Sequence, residues 1–139
     1  MIDEAERVLA NASRRRRLGR FQLEAAIQSV HAQRALTGET DWEAIALLYE
    51  GLVRTAPSIG ARVAQAGALA EARGPDAGLA ALDAMPIDVM AAYQPYWALR
   101  AHLLRGLGRT AEARDAYASA IGLSEDPAVR EFLSGQARN

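Results

Sequence analysis

The chain has 139 residues, 50% of them hydrophobic and 24% charged, and its formal net charge is −1 at pH 7. This length predicts one domain that can bury a hydrophobic core. The balanced charge excludes a wholly basic nucleic-acid-binding protein. No apolar run approaches the ~20 residues of a transmembrane helix, and we expect no signal peptide. Because cysteine is absent, disulfide scaffolds, thiolate zinc sites and cysteine nucleophiles are excluded.

Helical periodicity runs along the chain, and no stretch keeps the alternation that is typical of a strand. The pattern predicts a short first helix over residues 3–12 with Asp3 as its N-cap. Residues 14–19 are predicted to be a linker. A second helix is predicted from Phe21 to Ala35, and Gly38 ends it.

The following helices are predicted to begin at polar caps. Thr40 forms a capping box with Glu43 ahead of a helix that Pro57 ends, and Ser58 caps a helix that runs to Arg73. Proline and glycine mark the later boundaries. Further helices are predicted over residues 75–84, from Pro95 to Leu107, after a Thr110 cap and after an Asp126 cap.

The helix boundaries recur. Thr40, Gly74 and Gly108 each lie at a turn between helices, and 34 residues separate each from the next. This is the period of the tetratricopeptide repeat (TPR), whose helix pairs complete one another's core by stacking. The third repeat matches the TPR pattern best, through Trp97, Ala101, Leu104, Gly108, Ala113, Tyr117 and Ala120. The predicted fold is therefore all-α, with about three TPR-like helical hairpins and flanking or capping helices.

Two residues depart from this repeat. Arg100 stands where an apolar residue is usual, and Asp83 occupies the register position of Tyr49 and Tyr117. The large aromatic residues at repeat positions are predicted to fill the core: Trp42, Tyr49, Trp97 and Tyr117. The predicted organisation is an N-terminal helix and Arg-rich linker over residues 1–17, a TPR-like helical repeat domain over 18–134 and a polar tail over 135–139.

No motif for bond chemistry is found. Gly106, Gly108 and Ala111 fit a dinucleotide fingerprint superficially, but a helix rather than a strand precedes them. His31 and His102 are 71 residues apart, whereas a zinc site needs a spaced cluster of ligands. We therefore expect no enzyme, no metal site and no cofactor.

Several strings along the chain resemble one family. They are Arg20 to Ile27 with His31-Ala32, Thr40 to Trp42 with Ile45, Leu48 and Tyr49, Ala56 to Ser58, Gly74-Pro75 with Ala77 to Asp83, Arg100-Ala101 with Leu103 to Arg105, Leu107 to Arg109, and Glu112 to Arg114 with Ala116-Tyr117. Together they are similar to the C-terminal TPR-like extension of a group of extracytoplasmic-function RNA polymerase sigma factors. In that family the sigma regions lie upstream of the extension, and nothing here resembles them.

The resemblance implies a non-catalytic, cytoplasmic module that supports transcription initiation. Its partners would be the sigma-factor core regions, RNA polymerase or a regulatory protein, with no membrane contact and no specific DNA binding by this chain alone. A stand-alone TPR adaptor protein and a small-ligand sensor domain remain alternatives.

Four residues are candidates for a partner-binding groove. Gln22, His31 and Arg100 are polar residues inside apolar helical patterns and match polar places of the family, and Tyr93 matches an aromatic one. The alternative is an internal hydrogen-bond network that fixes helix packing. We favour that alternative because Arg100 replaces a packing residue and needs an acceptor.

A run of four basic residues is the sharpest local charge feature; it consists of Arg14, Arg15, Arg16 and Arg17. The run could contact DNA phosphate or an acidic polymerase or sigma surface. The alternative is a solvated linker between the sigma regions and the repeats.

Overall fold

The fold is known from a computed structural model that describes residues 4–138. Within this range the regular structure is entirely helical, which confirms the predicted all-α class, and no strand is present. The predicted Asp3 cap lies outside the described residues. The helices are α1 (Glu4–Ala32), α2 (Arg34–Thr37), α3 (Trp42–Thr55), α4 (Ile59–Arg73), α5 (Pro75–Asp83), α6 (Ile87–Met90), α7 (Gln94–Gly106), α8 (Thr110–Leu123) and α9 (Pro127–Arg138).

The chain forms two compact units, residues 1–62 and residues 63–139, and the division falls within α4. In the first unit α3 packs on the second half of α1. Gly19 lies beside Thr55 and Gly51 beside Leu23, so the two helices run antiparallel. Their contact buries Ile27, Ile45, Ala46 and Leu52.

The structure corrects two predictions about irregular segments. Residues 14–19 are not a linker, because α1 continues through them without a break. Arginine is a good helix former, so four consecutive arginines do not end a helix. Residues 135–138, predicted to be a polar tail, belong to α9. There the side chain of Gln136 accepts a hydrogen bond from the guanidinium of Arg105.

Two of the predicted caps can be compared directly in the first unit. Asp41 rather than Thr40 caps α3, since its carboxylate accepts a hydrogen bond from the Ala44 N–H at 3.0 Å. The Thr40 cap was therefore wrong by one residue. The Ser58 cap is confirmed, because its hydroxyl accepts from the Ala61 N–H at 3.0 Å.

The turn between α7 and α8 is fixed by Gly108, whose φ of 77° is left-handed. The Arg109 N–H donates to the Leu104 carbonyl at 2.9 Å, and the Gly108 N–H donates to the Arg105 carbonyl at 3.0 Å. This is a Schellman motif, in which glycine at the left-handed position ends the helix. Thr110 is the first residue of α8 and not its cap, which corrects that prediction.

The hydrophobic core of the second unit lies mainly between α7 and α8, with α5 packed on α7 and α9 on α8. The apolar residues of α8 form one stripe with the spacing i, i+3, i+4 and i+7. Four of its members are buried: Ala113, Ala116, Tyr117 and Ala120. They meet Ala101 and Leu104 of α7, Leu79 and Leu82 of α5 and Leu133 of α9 in one cluster. Each helix therefore contributes one apolar face to a shared core.

The aromatic residues follow the prediction only in part. Tyr117 is buried, whereas Trp42, Tyr49 and Trp97 are half-buried. The ring N–H of Trp97 donates to the Ala91 carbonyl at 2.9 Å, which keeps one side of the indole at the surface. Its neighbour Tyr96 fills the core instead and meets the Trp97 ring edge to face, with centroids 5.1 Å apart.

Truncation of Tyr117 should leave a large cavity in this core. We expect Tyr117→Ala to lower the free energy of unfolding by about 3 kcal/mol or more, as other buried aromatic truncations do. Phe132, on the exposed side of α9, supplies the matched control. Phe132→Ala should change the free energy by less than about 0.5 kcal/mol in urea unfolding. Equal losses for the two variants would contradict the assigned core.

At Gly78, α5 lies in close contact with both α4 and α7. A Cβ atom there would lie 2.6 Å from the Cβ of Ala70 and 2.9 Å from both the Ala66 carbonyl oxygen and the Leu103 side chain. The Ala66 oxygen belongs to the backbone of α4, and the Ala70 Cβ is bonded directly to that backbone. Neither atom can move aside unless the helix moves with it. Only glycine fits this junction.

We expect Gly78→Ala to destabilise the protein although alanine is the better helix former. The overpacking cost of about 1–3 kcal/mol exceeds the gain of roughly 1 kcal/mol in helix propensity. Gly135 lies within α9, and a Cβ there meets nothing within 4 Å. Gly135→Ala should therefore raise the free energy of unfolding by up to ~1 kcal/mol. A gain for both variants in thermal and urea unfolding would show that the Gly78 junction is loose.

Candidate functional site

A cleft of about 200 Å³ lies between α4 and α7 in the second unit. From α7 it is lined by Leu99, His102, Leu103 and Gly106, which share one helix face because their spacing is i, i+3, i+4 and i+7. Its other lining residues are Gly67, Ala70, Glu71 and Pro75. The cleft is thus a feature of two facing helices rather than of a loop.

The floor of this α4–α7 cleft is small and apolar. A Cβ at Gly67 would meet Leu99 only at 3.8 Å, and one at Gly106 would meet Pro75 at 3.6 Å. Both glycines therefore leave room that a larger side chain would occupy. The polar groups of the lining are the carboxylate of Glu71 and the imidazole of His102, and both residues are exposed. The cleft can receive an apolar side chain and offers the carboxylate as an acceptor beside it.

Arg100 does not line this cleft. One of its guanidinium nitrogens, Nη1, lies 2.5 Å from Oδ1 of Asp83, so α7 and α5 are joined by an ion pair. The Arg100 side chain is 21% exposed and that of Asp83 is 55% exposed. The acceptor that an arginine at this position needs is thus supplied internally, which favours the structural interpretation of Arg100. The two departures from the repeat pattern are partners of each other.

The structure places Gln22 and His31 on α1, where both are exposed. Nine residues separate them, and nine steps of 100° put them about 180° apart around the helix. They consequently face opposite sides and do not form one surface. His31 contacts Trp42 of α3 edge to face, with ring centroids 5.6 Å apart.

Tyr93 is the N-cap residue of α7, and its ring packs against the core of the second unit. It is half-buried and is not among the residues that line the cleft. Gln22 and His31 belong to the first unit, while Tyr93 and Arg100 belong to the second. Gln22 and His31 therefore do not share a face of α1, and a meeting of either residue with Tyr93 or Arg100 stays a prediction.

The four arginines of the basic run are exposed and helical. Consecutive helical residues are 100° apart, so the run surrounds α1 rather than forming one basic face. The Arg14 guanidinium donates to the side-chain oxygen of Asn11. The ion pairs that the structure shows involve other arginines, namely Arg20, Arg54, Arg100 and Arg109.

A second charge pair lies at the α7–α8 turn. Arg109 donates two hydrogen bonds to the carboxylate of Glu112, at 3.0 and 2.6 Å. Hydrogen bonding of the Arg109 guanidinium to the Glu112 carboxylate is the main cause that raises the pKa of Arg109 above its ordinary value. The charge of Arg109 is balanced by Glu112 within the turn.

Two features of the sequence indicate the cleft. Gly67 lies within α4, where glycine costs roughly 1 kcal/mol relative to alanine. A glycine inside a helix indicates a close approach or an open floor. The spacing of Leu99, Leu103 and Gly106 along α7 was likewise readable as a separate face. Asp83 was noticed as a departure, but its partner could not be assigned without the helix pairing.

Comparison with known proteins identifies a relative but no family. No family model and no solved structure matches the chain. A protein of Rhizobium meliloti (strain 1021), described as uncharacterized protein R00370, is 38% identical to it over 136 residues. This match covers 98% of the chain but 32% of the relative, so the chain spans about a third of the length of the curated relative it matches. Within residues 4–138, no helix has both the length and the apolar content needed to cross a bilayer.

The Arg100–Asp83 pair can be tested by a double-mutant cycle with Arg100→Met and Asp83→Asn. We expect a favourable coupling of about 0.5–1 kcal/mol, since one partner is half exposed and solvent weakens the pair. The exposed pair of Arg54 and Glu50 within α3 is the control, and its coupling should not exceed ~0.5 kcal/mol. Coupling indistinguishable from zero at Arg100 would remove its role as a structural pair.

Proposed function

We propose that this chain is a non-catalytic protein-interaction module of TPR-like helical hairpins in an RNA polymerase sigma factor. In this role it supports transcription initiation in the cytoplasm. It does so by contacting the sigma core regions, RNA polymerase or a regulatory protein. The chemistry is recognition of an extended segment of the partner, with no bond made or broken.

The α4–α7 cleft is the observation that carries this proposal. The 34-residue register makes α4 and α7 the first helices of successive pairs. In TPR proteins the first helices line the concave face, and repeat proteins bind their partners on such surfaces. A cleft between these two helices is therefore where an interaction module would receive its partner.

The glycine turns support the same register. Gly38, Gly74 and Gly108 have positive φ angles of 77°, 106° and 77°. Each one precedes a helix that the register makes the second of its pair, namely α3, α5 and α8. Gly38 and Gly108 end a helix in the left-handed conformation, and Gly74 is the N-cap of α5, so each glycine turns the chain between two helices.

The size of the cleft favours a peptide side chain over a small molecule. Small-molecule sites usually enclose about 300–1,000 Å³, whereas this cleft has about 200 Å³ and opens onto the surface between two helices. One apolar side chain of a partner segment would fill it. The relative in Rhizobium meliloti supports a module within a larger protein, since about two-thirds of it lies outside the match.

We expect a filled cleft to abolish binding without harming the fold. Gly67→Leu places a side chain in the cleft and improves helix propensity. Purified sigma core regions and core RNA polymerase would serve as immobilised probes in biolayer interferometry with the full chain. Binding by the unmodified chain and a loss of at least ~10-fold for Gly67→Leu are the expected results.

Gly122→Leu is the matched control, because a Cβ at Gly122 of α8 meets nothing within 4 Å. This variant should bind like the unmodified chain. The unfolding temperature of both variants should equal or exceed that of the unmodified chain. If neither probe binds the unmodified chain, or if both variants bind equally well, the proposed function is overturned.

A further inference from the structure

The first half of α1 has no helix packed on it. Residues 4–18 are exposed throughout. α1 has 29 residues and α3 has 14, so their lengths are about 43 and 21 Å. Gly19 lies beside Thr55, the last residue of α3. α3 therefore covers α1 only from Gly19 onward, and four turns extend beyond it.

The uncovered half repeats the pattern of the covered half. Eighteen residues make five turns of an α-helix, so residues 18 apart share one face. Ala5, Val8, Leu9 and Ala12 stand 18 residues before Leu23, Ala26, Ile27 and Val30. The later set includes Ile27, which α3 buries, whereas Val8 and Leu9 are 61% and 69% exposed. The first set is thus a helix-packing face that nothing in residues 4–138 covers.

The charges around this face are strongly basic. The stripe of Ala5, Val8, Leu9 and Ala12 continues at i+3 and i+4 into Arg15 and Arg16, and we call these six residues the open face of α1. Residues 4–17 hold five arginines and two glutamates, a net charge of +3 in a chain whose net charge is −1. Long arginine side chains can cover apolar surface with their stems while the guanidinium reaches a carboxylate.

We propose that the open face of α1 binds an acidic amphipathic helix of a partner protein. The partner's apolar stripe packs on Val8 and Leu9, as α3 packs on the second half of α1, and its carboxylates pair with Arg15 and Arg16. Electrostatic complementarity of this kind sets which partner is accepted. The proposal goes beyond the function of the α4–α7 cleft. The two proposals concern different residues and are tested independently.

Other occupants fit these residues less well. DNA phosphates would pair with the arginines, but the four-residue apolar stripe would have no partner on the DNA backbone. A membrane-surface helix needs bulkier apolar residues and a charge-free apolar face, whereas Arg15 and Arg16 interrupt this one. A second copy of the chain would bring two segments of net charge +3 together, and like charges across an interface are unfavourable.

Two labelled synthetic peptides test the proposal. Both carry Leu and Ala at the same i, i+3, i+4 and i+7 positions, and they differ only in having Glu or Lys beside the stripe. Fluorescence anisotropy with the full chain should show saturable binding of the Glu peptide and none of the Lys peptide. Leu9→Glu should weaken binding about 10-fold or more. Leu36→Glu is the control, because Leu36 is 88% exposed outside the open face.

Charge reversal gives the sharper result. Arg15→Glu combined with Arg16→Glu should transfer binding from the Glu peptide to the Lys peptide, while Arg114→Glu combined with Arg130→Glu should leave the preference unchanged. Circular dichroism should show undiminished helix content, since the substituted side chains are exposed.

Three results would overturn the proposal. The first is failure of the Glu peptide to bind the unmodified chain. The second is a dimer in sedimentation that Leu9→Glu dissociates, which would make a second copy the occupant. The third is binding of duplex DNA or phosphatidylglycerol vesicles that needs Arg15 and Arg16 but not Leu9.

Discussion

The close approach of three helices at Gly78 is the constraint on which the second unit depends. Because glycine has no Cβ, α5 can lie against the backbone of α4 at Ala66, and Leu103 of α7 can reach the same point. This junction fixes how far α4 and α7 stand from each other. The cleft between the two helices stays open because Gly67 and Gly106, which line it, have no side chains to fill it. A packing requirement thus leaves an open cleft between two helices.

The ion pair of Arg100 and Asp83 shows how two polar residues are accommodated in otherwise apolar helical patterns. A lone arginine in an apolar helical pattern would cost several kcal/mol if it were buried without an acceptor. In the predicted 34-residue register, Asp83 occupies the position of Tyr49 and Tyr117. Its carboxylate supplies the acceptor for Arg100. The ion pair joins α5 to α7 and accounts for a polar residue at both positions.

Much of the fold was predictable because helices carry their own local signals. The stripe around Tyr117, the cap at Ser58 and the glycine turns follow from spacing and from the hydrogen-bonding capacity of single residues. Other predictions depended on information that lies outside the segment. Arg14 to Arg17 were predicted to be a linker because charge indicates solvent, yet solvent exposure and helix are compatible. The choice of Tyr96 over Trp97 for the core depends on how α7 is rotated against its neighbours.

The candidate site was less predictable for a related reason. Gln22, His31 and Arg100 are polar residues in apolar patterns, and such residues serve a surface or an internal pair equally well. Helical geometry separates the first two, and Asp83 accounts for the third. The floor of the cleft is made by small and apolar residues. Whether such residues face a cleft or the core depends on which helix packs opposite them. Its residues become a site only when α4 and α7 face each other.

Methyl-resolved NMR of the full chain tests the central claim most directly. Leu99 and Ala70 line the α4–α7 cleft, whereas Leu82 and Leu133 lie in the core of the same unit. On titration with the sigma core regions or core RNA polymerase, the account predicts that the methyl signals of Leu99 and Ala70 shift or broaden first. The signals of Leu82 and Leu133 should stay in place. Perturbation of the core methyl groups with no change at Leu99 and Ala70 would contradict the account.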